Sequence, residues 1–336
     1  MGATPLTRRQ ILMSAAQIAI VSAARAGPAT AAPGGAPAKT PSGPAAAAGS
    51  FTLGGDLTVN RMGFGAMRIT GPGIWGEPKD PAEARRVLRR AVELGVNFID
   101  TADAYGPDVS ERLIAEALAP YPPGLVIATK GGLLRPQASQ WVPDGRPQHL
   151  REACEGSLRR LKLARIDLYQ FHHPDPKVPL EDSIGELARL REQGKIRHVG
   201  VSNFTTDELA RARRIVPIVS VQNRYNLADR SSEDVLAVCT REHLAFIPWA
   251  PLASGSTGRL EGAAEGSATE GSARGTALEK IATARGASVM QIAIAWLLAR
   301  SPAMLPIPGT SSVAHLEENL AAARLKLTPA ELTLLG

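Results

Sequence analysis

Asn97-Phe98-Ile99-Asp100 is a short apolar run that ends on an acid. The pattern recurs in Val126-Ile127-Ala128-Thr129-Lys130 and in Leu168-Tyr169-Gln170-Phe171-His172. Such runs, separated by stretches of helical periodicity, read as buried strands of a parallel sheet. A charge in the last position lies at the sheet's carboxyl edge, where α/β sheets and barrels keep their chemistry. With Tyr105 just beyond Asp100, an acid, a phenol, an ammonium and an imidazole converge on one edge. Each alone has a bland explanation: a strand-end cap, a loop aromatic, a solvated strand end, a core histidine. All four at strand ends describe a proton-transfer site.

The rest of the chain supports a closed sheet. Strand-like runs occupy residues 62–67, 97–100, 125–130, 166–172, 198–202, 219–222, 245–249 and 304–307. Helical periodicity occupies residues 82–94, 147–161, 180–193, 207–216, 232–242 and 288–299. Asp80-Pro81 opens one helix, and Gly95 and Gly194 close two. Eight strands alternating with helices predict an α/β fold, a (β/α)8 TIM barrel, rather than an open doubly wound sheet. No GxGxxG follows the first strand, which argues against a Rossmann fold. Ahead of the barrel, Phe51 to Val59 alternates around Gly54-Gly55-Asp56 and predicts an N-terminal β-hairpin.

The chain has 336 residues, 44% of them hydrophobic, and a net charge of +6. Arg8, Arg9, Arg25 and Lys39, with no acid among residues 1–50, hold +4 of that charge. The remainder forms no basic stripe interleaved with aromatics, so nucleic acid is not an expected partner. Thr7-Arg8-Arg9-Gln10-Ile11-Leu12-Met13 is a twin-arginine pattern, followed by a modest apolar stretch and two small-x-small sites. Residues 1–31 therefore read as an export signal engaging the twin-arginine machinery, and residues 32–50, rich in Ala, Pro and Gly, as a disordered linker. The barrel is expected over 51–336. No apolar run approaches the roughly 20 residues of a membrane span, so no stable insertion is expected. Cys154 and Cys239 lack metal-type spacing; packed thiols are expected, and no metal.

The pocket chemistry follows from the residue types. A phenol with pKa near 10 gives up its proton poorly, and a neighbouring ammonium favours the phenolate. An acid holds the ammonium charged, and an imidazole orients a substrate oxygen.

Several motifs resemble the aldo-keto reductases: Phe98-Ile99-Asp100-Thr101-Ala102-Asp103-Ala104-Tyr105-Gly106, Ala128-Thr129-Lys130-Gly131-Gly132, Asp167 through His172, and Gly200-Val201-Ser202-Asn203-Phe204. The similarity runs in order over residues 51–336. It implies a (β/α)8 barrel, a nicotinamide cofactor and reduction of a small-molecule aldehyde or ketone. By this resemblance Tyr105 is the general acid, Asp100 and Lys130 tune it, and His172 orients the carbonyl. Ser202, Asn203 and Gln222 match the positions that hold the nicotinamide carboxamide, and Trp249 the aromatic that stacks on it, followed by Pro251 and Leu252. Gly309, Thr310, Ser311, Ser312 and His315 lead into a helix whose amino end suits a phosphate. Glu318 and Asn319 match the pair that contacts adenine.

Many family members carry Arg or Lys where Ser311 and Ser312 stand. NADP(H) is nevertheless expected from the family, with NAD(H) as the alternative. Residues 69–76 and 309–316 look most like bacterial pyridoxal reductases (pyridoxine 4-dehydrogenases), and Trp75 is expected to line the substrate pocket. Residues 253–276 lack periodicity and read as a long loop on the catalytic face, either a mobile flap over the cofactor or an inert insertion. A second reading, a cofactor-binding redox sensor or partner subunit with little turnover, is disfavoured by the full set of four residues. The signal predicts an exported protein, cytoplasmic if the signal is not used.

Overall fold

The apolar strands expected from the sequence are buried on both faces, which requires a sheet wrapped by helices. The computed structural model describes Gly2, residues 42–251 and residues 268–336. From residue 42 onward these fall in one compact unit, Lys39–Gly336. A 3-10 turn, Pro44–Ala48, leads into β1 (Ser50–Leu53) and β2 (Leu57–Asn60), then β3 (Phe64–Gly65). The next units are α1 (Pro81–Glu93), β4 (Phe98–Asp100), α2 (Val109–Leu118), β5 (Val126–Gly131), β6 (Leu133–Leu134), β7 (Val142–Pro143) and α3 (Pro147–Leu161). There follow β8 (Ile166–Phe171), α4 (Leu180–Glu192), β9 (Ile196–Ser202), α5 (Thr206–Arg213), β10 (Ile218–Gln222), α6 (Glu233–Arg241) and β11 (Ala245–Phe246). The chain ends on α7 (Ala268–Arg285), α8 (Val289–Arg300), α9 (Val313–Ala321) and α10 (Pro329–Leu335).

The main sheet is parallel, in the order β3-β4-β5-β8-β9-β10-β11. Residues 304–307, expected as the eighth strand, form an irregular seam instead. Leu305 N–H donates to Phe246 O (2.9 Å), and Gly63 N–H donates to Pro306 O (3.0 Å). Pro306 has no N–H to return, which limits the ladder. The seam still joins β11 to the first strand and closes the barrel. Gly309 crosses Gly65 so closely that a Cβ would lie 2.4 Å from the Gly65 carbonyl oxygen.

The hairpin appears as expected, with Leu53 opposite Leu57. Leu53, Leu57 and Val59 pack against inward residues of the sheet, among them Phe98, Ala128, Leu168 and Leu305, and plug the barrel. Gly54 (φ 58°) is required at the turn: a Cβ would meet the His198 ring at 2.2 Å. Cys154 and Cys239 are buried on α3 and α6, and burial pushes both thiols up to about 12.

Three expectations need correction. The linker expected over residues 32–50 is ordered in its last part. Ala45 and Ala48 are buried, and Ala45 N–H donates to Leu94 O (3.1 Å), because small side chains fit where α1 ends. The loop expected over 253–276 is helical from Ala268. Ala, Glu and Arg favour a helix even without an apolar stripe to reveal it; residues 252–267, with Leu252, lie outside the described residues. The expected strands over 62–67 and 245–249 are shorter, the second ending before Pro248. The signal and the rest of the linker, up to residue 41, also lie outside the described residues, Gly2 apart.

Candidate active site

Asp100 ends β4, Lys130 lies near the end of β5, and His172 follows β8, so the sheet's register brings them to one mouth. Gln170 pairs with Lys130 across the β5–β8 ladder. Lys130 is fully buried, and its Nζ donates to Asp100 Oδ1 (2.6 Å), Thr101 O (2.8 Å) and Tyr105 Oη (3.3 Å). The other carboxylate oxygen of Asp100 accepts from Gln170 Nε2 (2.9 Å) and Gln222 Nε2 (2.8 Å). Asp100 is thus satisfied without water, and its charge is available to hold the ammonium.

Burial disfavours the charged form of Lys130, but Asp100 and Tyr105 outweigh it and leave its pKa raised. Tyr105 corrects an expectation. Burial raises its pKa, and although Lys130 lowers it, the net direction is upward, with Asp100 adding to the rise. Desolvation of the phenolate exceeds the pull of the cation. His172 is held well below its usual value, first by burial and then by Lys130, His173 and Arg135, so its ring is neutral at pH 7. Its Nδ1 is buried without a partner among the described residues, and its ring meets the Tyr105 ring edge-on at 5.8 Å.

A second row of polar groups runs away from His172. Asn203, in a left-handed conformation (φ 62°), donates through Nδ2 to His172 O (3.1 Å) and Ser202 Oγ (3.2 Å). Ser202 Oγ donates to Gln222 O (2.8 Å), and Trp249 Nε1 donates to Asn203 Oδ1 (3.0 Å). Ser202, Asn203, Gln222 and Trp249 therefore form one connected surface beside the four central residues, though the amide nitrogen of Gln222 serves Asp100. Pro251 lies just beyond Trp249.

Past the seam, Thr310 Oγ1 accepts from Ser312 N–H (3.1 Å), and α9 carries His315, Glu318 and a buried Asn319. A cavity of about 680 Å³ is lined by Gly309, Thr310, Ser311 and His315, and also by Arg68 and Lys79. Neither Arg68 nor Lys79 has an ion pair among the described residues. Glu83, on the same cavity, pairs with Arg86 and accepts from Val313 N–H (3.3 Å).

Trp75 stands at the rim, bridged to Gly106. The sequence reading missed Gln170, Arg135 and Trp141. Gln170 was visible as a polar residue at an inward position of an apolar run. Trp141 sits on the β6–β7 hairpin, its ring 6.3 Å from Tyr105 and 6.4 Å from His172.

A closed α/β barrel with a buried acid–amine–phenol chain at its carboxyl mouth defines the class, an α/β-barrel enzyme. The chain belongs to the aldo/keto reductase family, whose model matches residues 61–335. It is 50% identical over 284 residues to an uncharacterized oxidoreductase of Schizosaccharomyces pombe, covering 84% of this chain and 88% of the relative. It is 41% identical over 288 residues to pyridoxine 4-dehydrogenase of Escherichia coli, covering 84% and 95%. Glycerol dehydrogenase from Gluconobacter oxydans superimposes with a TM-score of 0.75 at 29% identity, covering 86% of this chain and 94% of that one. An aldo/keto reductase from Klebsiella pneumoniae in complex with NADP and acetate gives a TM-score of 0.69 at 26% identity, covering 85% and 93%.

Proposed function

We propose that this protein reduces an aldehyde or ketone to the alcohol with NADPH, and that a pyridoxal-like aromatic aldehyde is among its substrates. The carrying observation is the Asp100–Lys130–Tyr105 chain, buried throughout and aimed at the mouth of the barrel. The resemblance to pyridoxine 4-dehydrogenase supports the substrate class, and the NADP complex of the Klebsiella relative supports the cofactor.

The site fits a nicotinamide cofactor. Ser202, Asn203 and Gln222 offer amide-type partners beside Trp249, whose ring suits stacking. Glu318 and Asn319 would take the adenine. Thr310, Ser311, Ser312 and His315, with Arg68 and Lys79, which have no ion pair among the described residues, would take phosphate. The cofactor, when bound, supplies the hydride. His172, held neutral by burial, orients the substrate oxygen. As that oxygen gains negative charge it takes the Tyr105 proton; the phenol O–H bond breaks and the alcohol O–H bond forms. Lys130 stabilises the phenolate left behind, and Asp100 holds Lys130 in place.

Purified protein should oxidise NADPH with pyridoxal or 4-nitrobenzaldehyde. Tyr105→Phe should lower turnover by about 10²-fold or more while NADP⁺ binding persists. Retained turnover in that variant overturns the proton assignment. Tight NADPH binding without turnover across a broad aldehyde panel overturns the enzymatic reading in favour of a cofactor-binding sensor. The twin-arginine pattern supports export. Fractionation with a mass measurement of the mature N-terminus tests this, and an intact Met1 in the cytoplasm refutes it.

A further inference from the structure

Arg135 follows β6 directly and is 8% exposed, yet reaches no carboxylate among the described residues. Its Nη1 donates to Ile74 O (3.2 Å) and Ala104 O (3.1 Å). Its Nη2 donates to Gly73 O (3.2 Å) and Ala138 O (2.5 Å), and Nε is buried without a partner among the described residues. Its Cζ lies 3.6 Å from the Trp141 ring centroid and 5.5 Å from that of Trp75. A buried cation without a counter-ion is costly, and here carbonyl dipoles and two aromatic faces replace one.

The carbonyls it gathers belong to three different loops. Gly73 and Ile74 follow the first barrel strand, Ala104 precedes Tyr105 after β4, and Ala138 lies in the β6–β7 connection after β5. Ile74 itself is strained: a β-branched residue at φ 58°. Its carbonyl is pinned by Arg135 and by Gly106 N–H (3.2 Å). Such a conformation persists only where the surroundings over-determine it.

We propose that Arg135 is a positioning residue for the carbonyl substrate. It ties these three loops so that Trp75 and Trp141 form fixed walls of a slot ending at Tyr105 and His172, and the slot selects flat aromatic aldehydes over small aliphatic ones. The proposal rests on the reductase reading above. Lysine cannot replace it, because a single ammonium lacks the planar fork that serves four carbonyls and two rings.

The test compares Arg135→Lys and Arg135→Ala with wild type, using 4-nitrobenzaldehyde and propanal, with NADP⁺ affinity measured separately by equilibrium titration. In both variants kcat/KM for the aromatic aldehyde should fall roughly tenfold or more, mainly through KM, while propanal loses less than about threefold and NADP⁺ affinity stays within about twofold. Equal losses for both aldehydes, or an unchanged aromatic KM, overturn the proposal. A second readout is independent of turnover: acrylamide quenching of tryptophan emission, with Trp141→Phe to identify the Trp141 contribution. Quenching should rise in Arg135→Ala, and unchanged quenching overturns the positioning role. A wild-type protein inactive on every aldehyde sinks the reductase reading instead, and the quenching result then decides for Arg135 on its own.

Discussion

Tyr105 is a phenol that burial keeps protonated beside a cation that would stabilise its anion. On the proposed mechanism the two effects suit different moments of a reaction: the first would supply the proton, and the second would ease its departure. Carbonyl reduction would then need the phenol, so its rate should stay level through neutral pH and fall only above about pH 10, whereas alcohol oxidation, which would need the phenolate, should climb over that range. Stopped-flow profiles in both directions check this; a reduction rate that falls below pH 8 contradicts it. His172 has a depressed folded pKa, so its contribution to stability is present above the unfolded value and lost as pH falls. Melting temperature should therefore drop between about pH 7 and 5, and less so in His172→Gln. Lys130→Met strands the Asp100 carboxylate in a dry interior and should cost about 3–5 kcal/mol in urea unfolding. These residues were legible because each is a charge or polar ring where an apolar run stops. The net direction of the Tyr105 shift was not legible, because burial is a property of the assembled mouth.

Among elements, the long strands and the amphipathic helices were readable from periodicity. The pieces that escaped are those whose stability comes from neighbours. β6 and β7 have two residues each, too few to alternate, so Arg135 and Trp141 went unnoticed. The helix α2 was missed although it presents a buried Glu111, which accepts from Thr129 Oγ1 (2.5 Å) and Arg160 Nε (2.6 Å). The hairpin turn was readable, but the reason it tolerates only Gly54 lies on β9, in the His198 ring. Gly54→Ala should cost more than about 1 kcal/mol by thermal unfolding. In the cavity beside α9, Arg68 and Lys79 come from the segment joining β3 to α1 and place positive charge on the same cavity as Ser311. NADPH should accordingly have a KM at least about tenfold below that of NADH, and Arg68→Ala should narrow the gap. A strong NADH preference refutes the cofactor choice.

At the scale of the whole molecule, the barrel's boundary is earlier than composition suggests. A segment of Pro and Ala looks like a spacer because it has no large apolar side chain, yet Ala45 and Ala48 are buried and Arg61 N–H donates to Gly49 O (2.9 Å). A protein starting at Ser50 should therefore melt at a lower temperature than one starting at Ser42, its unfolding free energy smaller by about 1 kcal/mol or more. Equal melting temperatures would show that the turn contributes nothing.

The hairpin that fills one end of the barrel has a further effect on traffic. Among the described residues, a tube stoppered at its base is left with its opposite end as a doorway. On the proposed reading, a carbonyl compound and its redox partner would share that entrance, and the order of their comings and goings would follow from which of them sits deeper.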